Sequence, residues 1–578
     1  MSYARLILSA CSKDPMPEMT VPLPARHLVT VTIKNYVDNV FSLLPFFDET
    51  SLYYSVDAVY KAETDSNAVV ADYDHWCVRM ILAMSHASMS QQRGDQHYME
   101  GCGHASVALK YAETVLRPGV ISSVQALLFL AEYAMSDPHH FDSWSLIGAA
   151  SRAMVDLGLH HDPQKGTVVS KAKLELRRRV YWCVYMLDRS TSIVQTRAFS
   201  FSDDSANVAL PPASGSQLGQ KSSEQQWLKG LDHAIDLIKI RKLQSAWYHD
   251  LFQSGREPWT DPYPYLWNTC QGMANWFSNL SPRTANHMRV FFELELMYSY
   301  VYLLAPSPRV PVTAPYVQLL IFEYCTAYAN LMTRVINDQN HVAPVTFYDA
   351  MRVYMTGRQF LDVLENNQDL LLSGPTPEPP YAGPESAPPP PLPARPVDAQ
   401  SNTVRSITCI KQLTECLGYF GLRWGYMSWR DSFDRVAEPT LSLLNQRLWE
   451  LQDMQSNLSG KGRPSPWQHT SSTGSVTSSD AMSRHSSYQM TGQSPYGSIS
   501  GQMPAPGHPG LYSQPSYPSS ESVMYVGHQP QRPDPPVGLQ QSQRPSQQFA
   551  SWHGMGGYTP GFTQAHIGAD SEESISPG

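Results

Sequence analysis

An all-α fold is what this sequence predicts, and three observations predict it. Between residues 28 and 372, apolar residues recur at the three-to-four spacing of amphipathic helices in segment after segment. Almost nowhere do apolar and polar residues alternate as they would along a half-buried strand. Gly, Pro, Asn and Ser interrupt the helical segments often enough for helix to pack on helix around a shared core. The expected architecture is a multi-helix bundle with a disordered C-terminal tail.

Taken in order, residues 1–27 read as an N-terminal tail. Leu6-Ile7-Leu8-Ser9-Ala10-Cys11 ends like a lipoprotein processing site, but its apolar run falls short of the roughly 7–15 residues of a signal-peptide core. Val31 to Phe47, rich in aromatic and aliphatic residues and holding Leu44-Pro45-Phe46, comes next. Further helices are expected near 68–90, 93–116, 119–135, 138–159, 171–194, 223–253, 264–280, 284–305, 313–337 and 345–372. Residues 373–400 form a Pro-rich linker or insertion; the Pro-x-x-Pro spacing suits an aromatic groove, yet a plain spacer is the preferred reading. Helix returns over 401–458, where Cys409, Leu413, Cys416, Phe420 and Trp424, then Leu441, Leu444, Leu448 and Leu451, need a core, so these helices are expected to pack on the main domain, 28–372. Beyond, residues 459–578 are dominated by Ser, Gln, Pro, Gly and Tyr and hold too little apolar area to offset their ordering entropy. Aromatics dispersed through that tail suit an activation region that binds transcription coactivators through weak multivalent contacts; an inert solubilising tail is the plainer reading.

The stretch from Asp137 to Pro211 is the most specific. Trp144, Ile147, Gly148, Ser151, Met154, Val155 and Leu157 mark the buried face of one helix, and Gly148, Ala149 and Ala150 are small enough to let a second helix approach closely. Gly158 stands where that helix should stop, before His160, His161, Asp162 and Pro163. Arg177, Arg178 and Arg179 project about 100° apart around the next helix and cannot share a partner, so at least one is expected to turn inward to a carboxylate such as Asp156 or Asp188. A DNA-contacting patch is the rival reading. The core-facing run Val180 to Leu187 and the neighbouring Glu175 and Asp188 weigh against it.

Trp144, Gly148, Arg152, Asp156-Leu157-Gly158-Leu159-His160, Arg177-Arg178-Arg179, Tyr181-Trp182, Asp188-Arg189 and Leu210-Pro211 resemble, in that order, the fungal-specific transcription factor domain, the middle homology region of fungal zinc binuclear cluster regulators. The resemblance implies a nuclear regulator of RNA polymerase II genes, with these signature residues in structural roles. Two departures stand out: Thr196-Arg197-Ala198 where the family often has Gly-Arg-Pro, and Asn207 where it often has an acid. The six-cysteine zinc cluster is also missing. Eight cysteines, at 11, 77, 102, 183, 270, 325, 409 and 416, are scattered without a Cys-x-x-Cys pair, which suits buried thiols in a reducing compartment. No metal, cofactor or catalytic residue is expected in this chain; zinc is implied only if a six-cysteine cluster lies upstream. DNA contact is then expected through that missing module or through a partner protein, with a small-molecule effector and a homodimer as further expectations.

A formal net charge of −9 argues against binding nucleic acid by bulk electrostatics. No apolar segment approaches the roughly 20 residues of a membrane helix. An all-α metal-dependent enzyme of terpene-synthase type is the rival function. Asp203-Asp204 is the pair that invites it, but the pair lies in a loop context, and Asn337-Asp338 lacks the downstream Ser and Glu of a second metal motif. Neither a Gly-x-Ser-x-Gly nor a phosphate-binding loop occurs. A metabolite pocket between helices would draw on the Tyr, Trp and Met residues near 182–186, 267–277 and 298–302.

Overall fold

In a computed structural model of the chain, residues 2–65, 67–164, 166–212, 231–253, 255–338 and 344–459 are described. The expected tail beyond residue 459, with its coactivator-binding aromatics, lies outside them, as does the start of the helix expected over 223–253. The fold is all-α. Among the described residues β structure is limited to two isolated bridges, Ser12 with Phe141 and His161 with Asn207.

Residues 1–27 are not simply a tail. They begin with α1 (Tyr3–Cys11), capped by the Ser2 hydroxyl, which places Ala4, Ile7 and Cys11 on one buried face against α6 and α8. Helix α2 (Arg26–Tyr36) runs into a π turn (Val37–Phe41), after which the Pro45 turn delivers Phe46 and Phe47 to Phe129, with ring centroids 4.8 and 5.2 Å away. Helices α3 (Glu49–Thr64), α4 (Asp72–Met89), α5 (Gln96–Leu109), α6 (Ala112–Val115) and α7 (Ile121–Ser136) follow. The helix expected over 93–116 is thus two, because the chain turns at Tyr111, whose ring stacks on His75 at 4.8 Å; no Gly or Pro marks that break. Helix α7 is apolar all round and is buried all round, from Ser123 to Met135, as such a helix must be.

Then come α8 (Ser143–Asp156), α9 (Lys171–Val194), α10 (Asp232–Tyr248), α11 (Tyr263–Ser278), α12 (Asn286–Leu304), α13 (Pro315–Asn337), α14 (Phe347–Asn366) and α15 (Gln368–Leu372). A capping box between Thr346 and Asp349 starts α14. The proline segment lies extended on the body: the Tyr316 hydroxyl donates to Pro390 O at 2.9 Å and Ala387 N to Asn268 Oδ1 at 2.8 Å. Helix α16 (Ala399–Trp424) packs on α13 and α14, and α17 (Met427–Ser459) on α14 and α16. A Cβ built on Gly357 would stand 2.5 Å from the Phe433 ring, so glycine is what lets α17 seat against α14.

Candidate functional site

The signature residues converge on the ends of α8 and α9 and the loop after them. Helix α8 ends in a Schellman turn: Leu159 N donates to Met154 O at 3.0 Å and Gly158 N to Val155 O at 2.9 Å, with Gly158 at φ +62°. The chain reverses there. That reversal brings Asp162 beside α9, where it takes three hydrogen bonds of 2.6–3.1 Å from Arg178, while Arg177 donates to Gly158 O at 2.8 Å. The acid facing the arginine triplet is therefore Asp162 and neither of the two expected. Asp156 is the last, exposed residue of α8, and Asp188 lies ten residues beyond Arg178, about 15 Å along the helix axis. Arg179 is half-buried with its Nε unpartnered. The loop closes back on this corner through Asn207 N to His160 O at 2.9 Å and Trp182 Nε1 to Ala209 O at 3.0 Å, leaving Pro211 buried and Leu210 exposed.

The inward guanidinium belongs to Arg189, which is wholly buried. It donates to Asp188 at 2.5 Å, Ser245 Oγ at 3.0 Å, Phe201 O at 2.9 Å and Asp203 Oδ1 at 2.8 Å, and it packs 4.3–4.5 Å from the rings of Tyr185, Phe199 and Phe201. Burial alone would lower its pKa; the Asp188 carboxylate, with Tyr185 and Asp203, reverses the shift and holds it charged. Asp203 also accepts from Ser245 at 2.7 Å, so this carboxylate is already committed. Gly148 does not mediate a close helix contact. It is half-buried, and a Cβ there would meet only Arg152 Nη1 at 3.7 Å and Ser200 Oγ at 4.0 Å; Ala149 and Ala150 face the core instead. Arg152 is exposed, and half-buried Trp144 carries the Arg197 guanidinium over its ring at 4.2 Å.

On its other face α9 walls a cavity of about 890 Å³ through Met186, Leu187 and Ser190. Helices α2, α4, α5, α7, α10, α12, α13, α14 and α16 and the π turn also contribute to the lining. Its floor is ionic. Glu295 accepts from Arg241 at 2.6 and 2.7 Å and from Arg352 at 2.8 Å, and Arg352 reaches Ser190 Oγ at 3.1 Å. Burial would raise the Glu295 carboxyl, but the two guanidiniums outweigh it and hold the pKa at about 2. Glu132 is the opposite case: burial raises it to about 8 against one hydrogen bond from the Tyr36 hydroxyl at 2.8 Å, so it is a neutral acid at pH 7. Arg423, also buried, donates to the carbonyls of Ala87 and Ser88, at 3.3 and 3.1 Å, and lies beside the Tyr419 hydroxyl and over the Trp424 ring.

Of the aromatic and Met segments expected to line a pocket, only Met186 does so. Trp267, Met273, Trp276, Tyr298, Tyr300 and Tyr302 are solid core. Helical periodicity marks a face as buried; it does not tell a packed face from one against a void.

Comparison with known proteins assigns this geometry. Residues 33–260 match the fungal specific transcription factor domain, a span that holds the whole of the α8–α9 corner and much of the cavity wall. Within the chain, similarity extends to the ABC-transporter-regulating transcription factor of Aspergillus fumigatus (26% identical over 196 residues, 33% of this chain and 21% of the relative). It extends also to the positive regulator of purine utilization of Emericella nidulans (27% over 190 residues, 27% and 18%) and pyrimidine pathway regulatory protein 1 of Saccharomyces cerevisiae (25% over 208 residues, 33% and 23%). The chain's match thus spans about a fifth of the length of these relatives. They are named as regulators, and the terpene-synthase reading falls with them: Asp203, its first metal ligand, is tied to Arg189 and Ser245.

The loop after α9 holds one strained residue. Thr196 sits at φ +55°, a left-handed conformation that suits glycine and penalises a β-branched residue by about 1–3 kcal/mol. Thr196→Gly is expected to stabilise the domain by about 1 kcal/mol in urea unfolding, and Thr196→Val to lose the Thr196 Oγ1–Gln195 O contact with no relief of strain. The eight cysteines, all free and buried in different parts of the bundle, do not fit a six-thiolate cluster.

Glu132 gives the domain a pH signature. A carboxyl raised from 4.5 to about 8 on folding contributes full stability below pH 4.5 and loses it as pH rises through 8, by up to about 1.4 kcal/mol per unit. Glu132→Gln should flatten that decline and gain about 2 kcal/mol at pH 8, once the unpartnered amide hydrogen is set against it. Thermal unfolding from pH 5 to 8 checks this; parallel wild-type and variant curves would reject it.

Proposed function

We propose that this chain regulates RNA polymerase II transcription in the nucleus of a fungus, with its helical domain restraining or transmitting an activating signal. The observation that carries the reading is the match of residues 33–260 to the fungal specific transcription factor domain. DNA is reached through a six-cysteine zinc module outside this sequence or through a partner protein, and coactivators meet the Ser/Gln/Pro/Tyr-rich segment 459–578. Among the described residues no helix is long and apolar enough to cross a membrane. Fusing the chain to an unrelated DNA-binding domain is expected to change transcription from a cognate reporter, and truncation after residue 458 to reduce the change. A fluorescent fusion is expected in the nucleus. An unaffected reporter together with nuclear exclusion would reject the reading.

The cavity supports a second layer, a small-molecule effector seated beside α9. A void of about 890 Å³ is of the size that small ligands fill, and it mixes an apolar wall with the neutral acid Glu132 and the buried Arg423. Isothermal titration with candidate pathway metabolites is expected to give saturable heats that Met186→Trp, which fills the void, abolishes. Flat heats across the series count against an effector. Light scattering of the purified chain tests the homodimer.

A further inference from the structure

We propose that Cys102, Asp137 and His140 form a buried binding site for a single zinc ion, separate from any six-cysteine cluster. The three come from α5, from the C-cap of α7 and from the turn after it, and all are buried. Cys102 Sγ stands 3.7 Å from Asp137 Oδ2 and 3.9 Å from His140 Nε2, and the last two atoms are 3.6 Å apart. Zinc bonds of about 2.0–2.3 Å in a tetrahedron separate ligand atoms by about 3.3–3.6 Å, so a contraction of a few tenths of an ångström closes the set. As a hydrogen-bonded pair, Asp137 and His140 are too far apart.

The second observation is the orientation of His140. Its Nδ1 faces the Asp14 carbonyl oxygen at 3.4 Å, so Nε2 is the ring nitrogen turned toward the triad. That buried nitrogen meets only long contacts, the nearest being the Tyr98 hydroxyl at 3.5 Å, which is placed to supply a fourth oxygen. An outer layer already holds the carboxylate: the Tyr133 hydroxyl donates to Asp137 Oδ2 at 2.8 Å and His139 N reaches Oδ1 at 3.4 Å. Thiolate, imidazole and carboxylate together suit zinc and do not suit magnesium or calcium. On binding, the Cys102 S–H bond breaks, its proton leaves to solvent and an S–Zn bond forms, while Asp137 and His140 contribute lone pairs; no electron is transferred.

The ion would fasten a junction. Lys13 N and Asp14 N donate to the His140 and His139 carbonyls at 2.9 and 3.1 Å, and the His139 ring contacts Trp424 O at the α16–α17 corner, so the N-terminal segment, α5, α7 and α16 all meet here. The other histidine cluster differs: in His86, His97 and Glu100 the His86–Glu100 pair is already closed at 3.0 Å and half-exposed, which makes it the control.

The test uses the full chain, stripped of metal and titrated with Co²⁺ and Zn²⁺. One Co²⁺ per chain is expected, with a thiolate-to-metal charge-transfer band that Zn²⁺ displaces. Cys102→Ser should remove the band, Tyr133→Phe should weaken binding about tenfold, and His97→Gln should leave both unchanged. Because Cys102→Ser alters a buried position, zinc-dependent elevation of the wild-type melting temperature is the independent readout. A missing band in the wild type, a band that survives Cys102→Ser, or one lost in His97→Gln would overturn the site.

Discussion

Arg189→Met is expected to destabilise the protein by about 3–5 kcal/mol, the cost of leaving a buried carboxylate without its cation. Asp188 is 1% exposed and has no other cation within ion-pair distance among the described residues; Ser200 N, at 3.2 and 3.3 Å, is the remaining backbone donor. The side chain also loses its packing against Tyr185, Phe199 and Phe201 and its hold on Phe201 O and Asp203, so residues 196–211 should become the first site of proteolytic cleavage. Two comparisons isolate the cause. Adding Asp188→Asn to Arg189→Met should recover part of the loss, because the second change removes the orphaned charge. Arg178→Ala breaks a pair whose side chains are 24% and 25% exposed and should cost about 1 kcal/mol or less. Equal losses for Arg178 and Arg189 in urea unfolding would mean that the corner is not organised around Arg189.

How much of this was legible in advance depended on whether a feature is local. The all-α class and the stop at Gly158 could be read from spacing and residue type, since capping and periodicity act within a few residues; the wholly buried guanidinium was expected within Arg177–Arg179 and is Arg189 instead. The partner choices could not. Asp162 replaces Asp156 and Asp188 because the Schellman turn reverses the chain, and nothing in the arginine triplet encodes where the reversal ends. Gly148 looked like a helix-crossing glycine and proved to lie under Ser200, because a small residue is equally compatible with a helix or a loop above it. Helix α1 escaped notice as too short to show periodicity against its flanks. Cys102 is separated from Asp137 by 35 residues, so no spacing rule for metal ligands reaches it. Thr196 is the converse: the family resemblance marked the position, and only the φ angle shows why glycine is favoured there.

Glu295→Gln is the second large effect, again about 3–5 kcal/mol, and its pH dependence distinguishes it from the first. The substitution leaves Arg241 buried with only Gln244 beside it, and Arg352 with Asp349 at 3.2 Å. A hydrophobic replacement of the whole triad, Arg241→Met with Glu295→Leu and Arg352→Met, should recover much of the loss, as expected if the cost lies in unpaired charge and not in lost attraction. The carboxyl of Glu295 is depressed from 4.5 to about 2 on folding, so its contribution is present above pH 4.5 and is lost as pH falls toward 2, by about 3 kcal/mol in all. Glu132 acts in the reverse sense, removing stability as pH rises from 4.5 through 8. The two glutamates sit on one cavity and act in opposite senses, Glu295 adding a loss on the acid side and Glu132 one on the alkaline side. Glu295→Gln should flatten only the acid limb and Glu132→Gln only the alkaline limb. An effector that occupies the cavity and ionises Glu132 by pairing with it would draw on the alkaline limb alone, so its stabilisation should grow from pH 6 to pH 8 in the wild type and stay constant in Glu132→Gln.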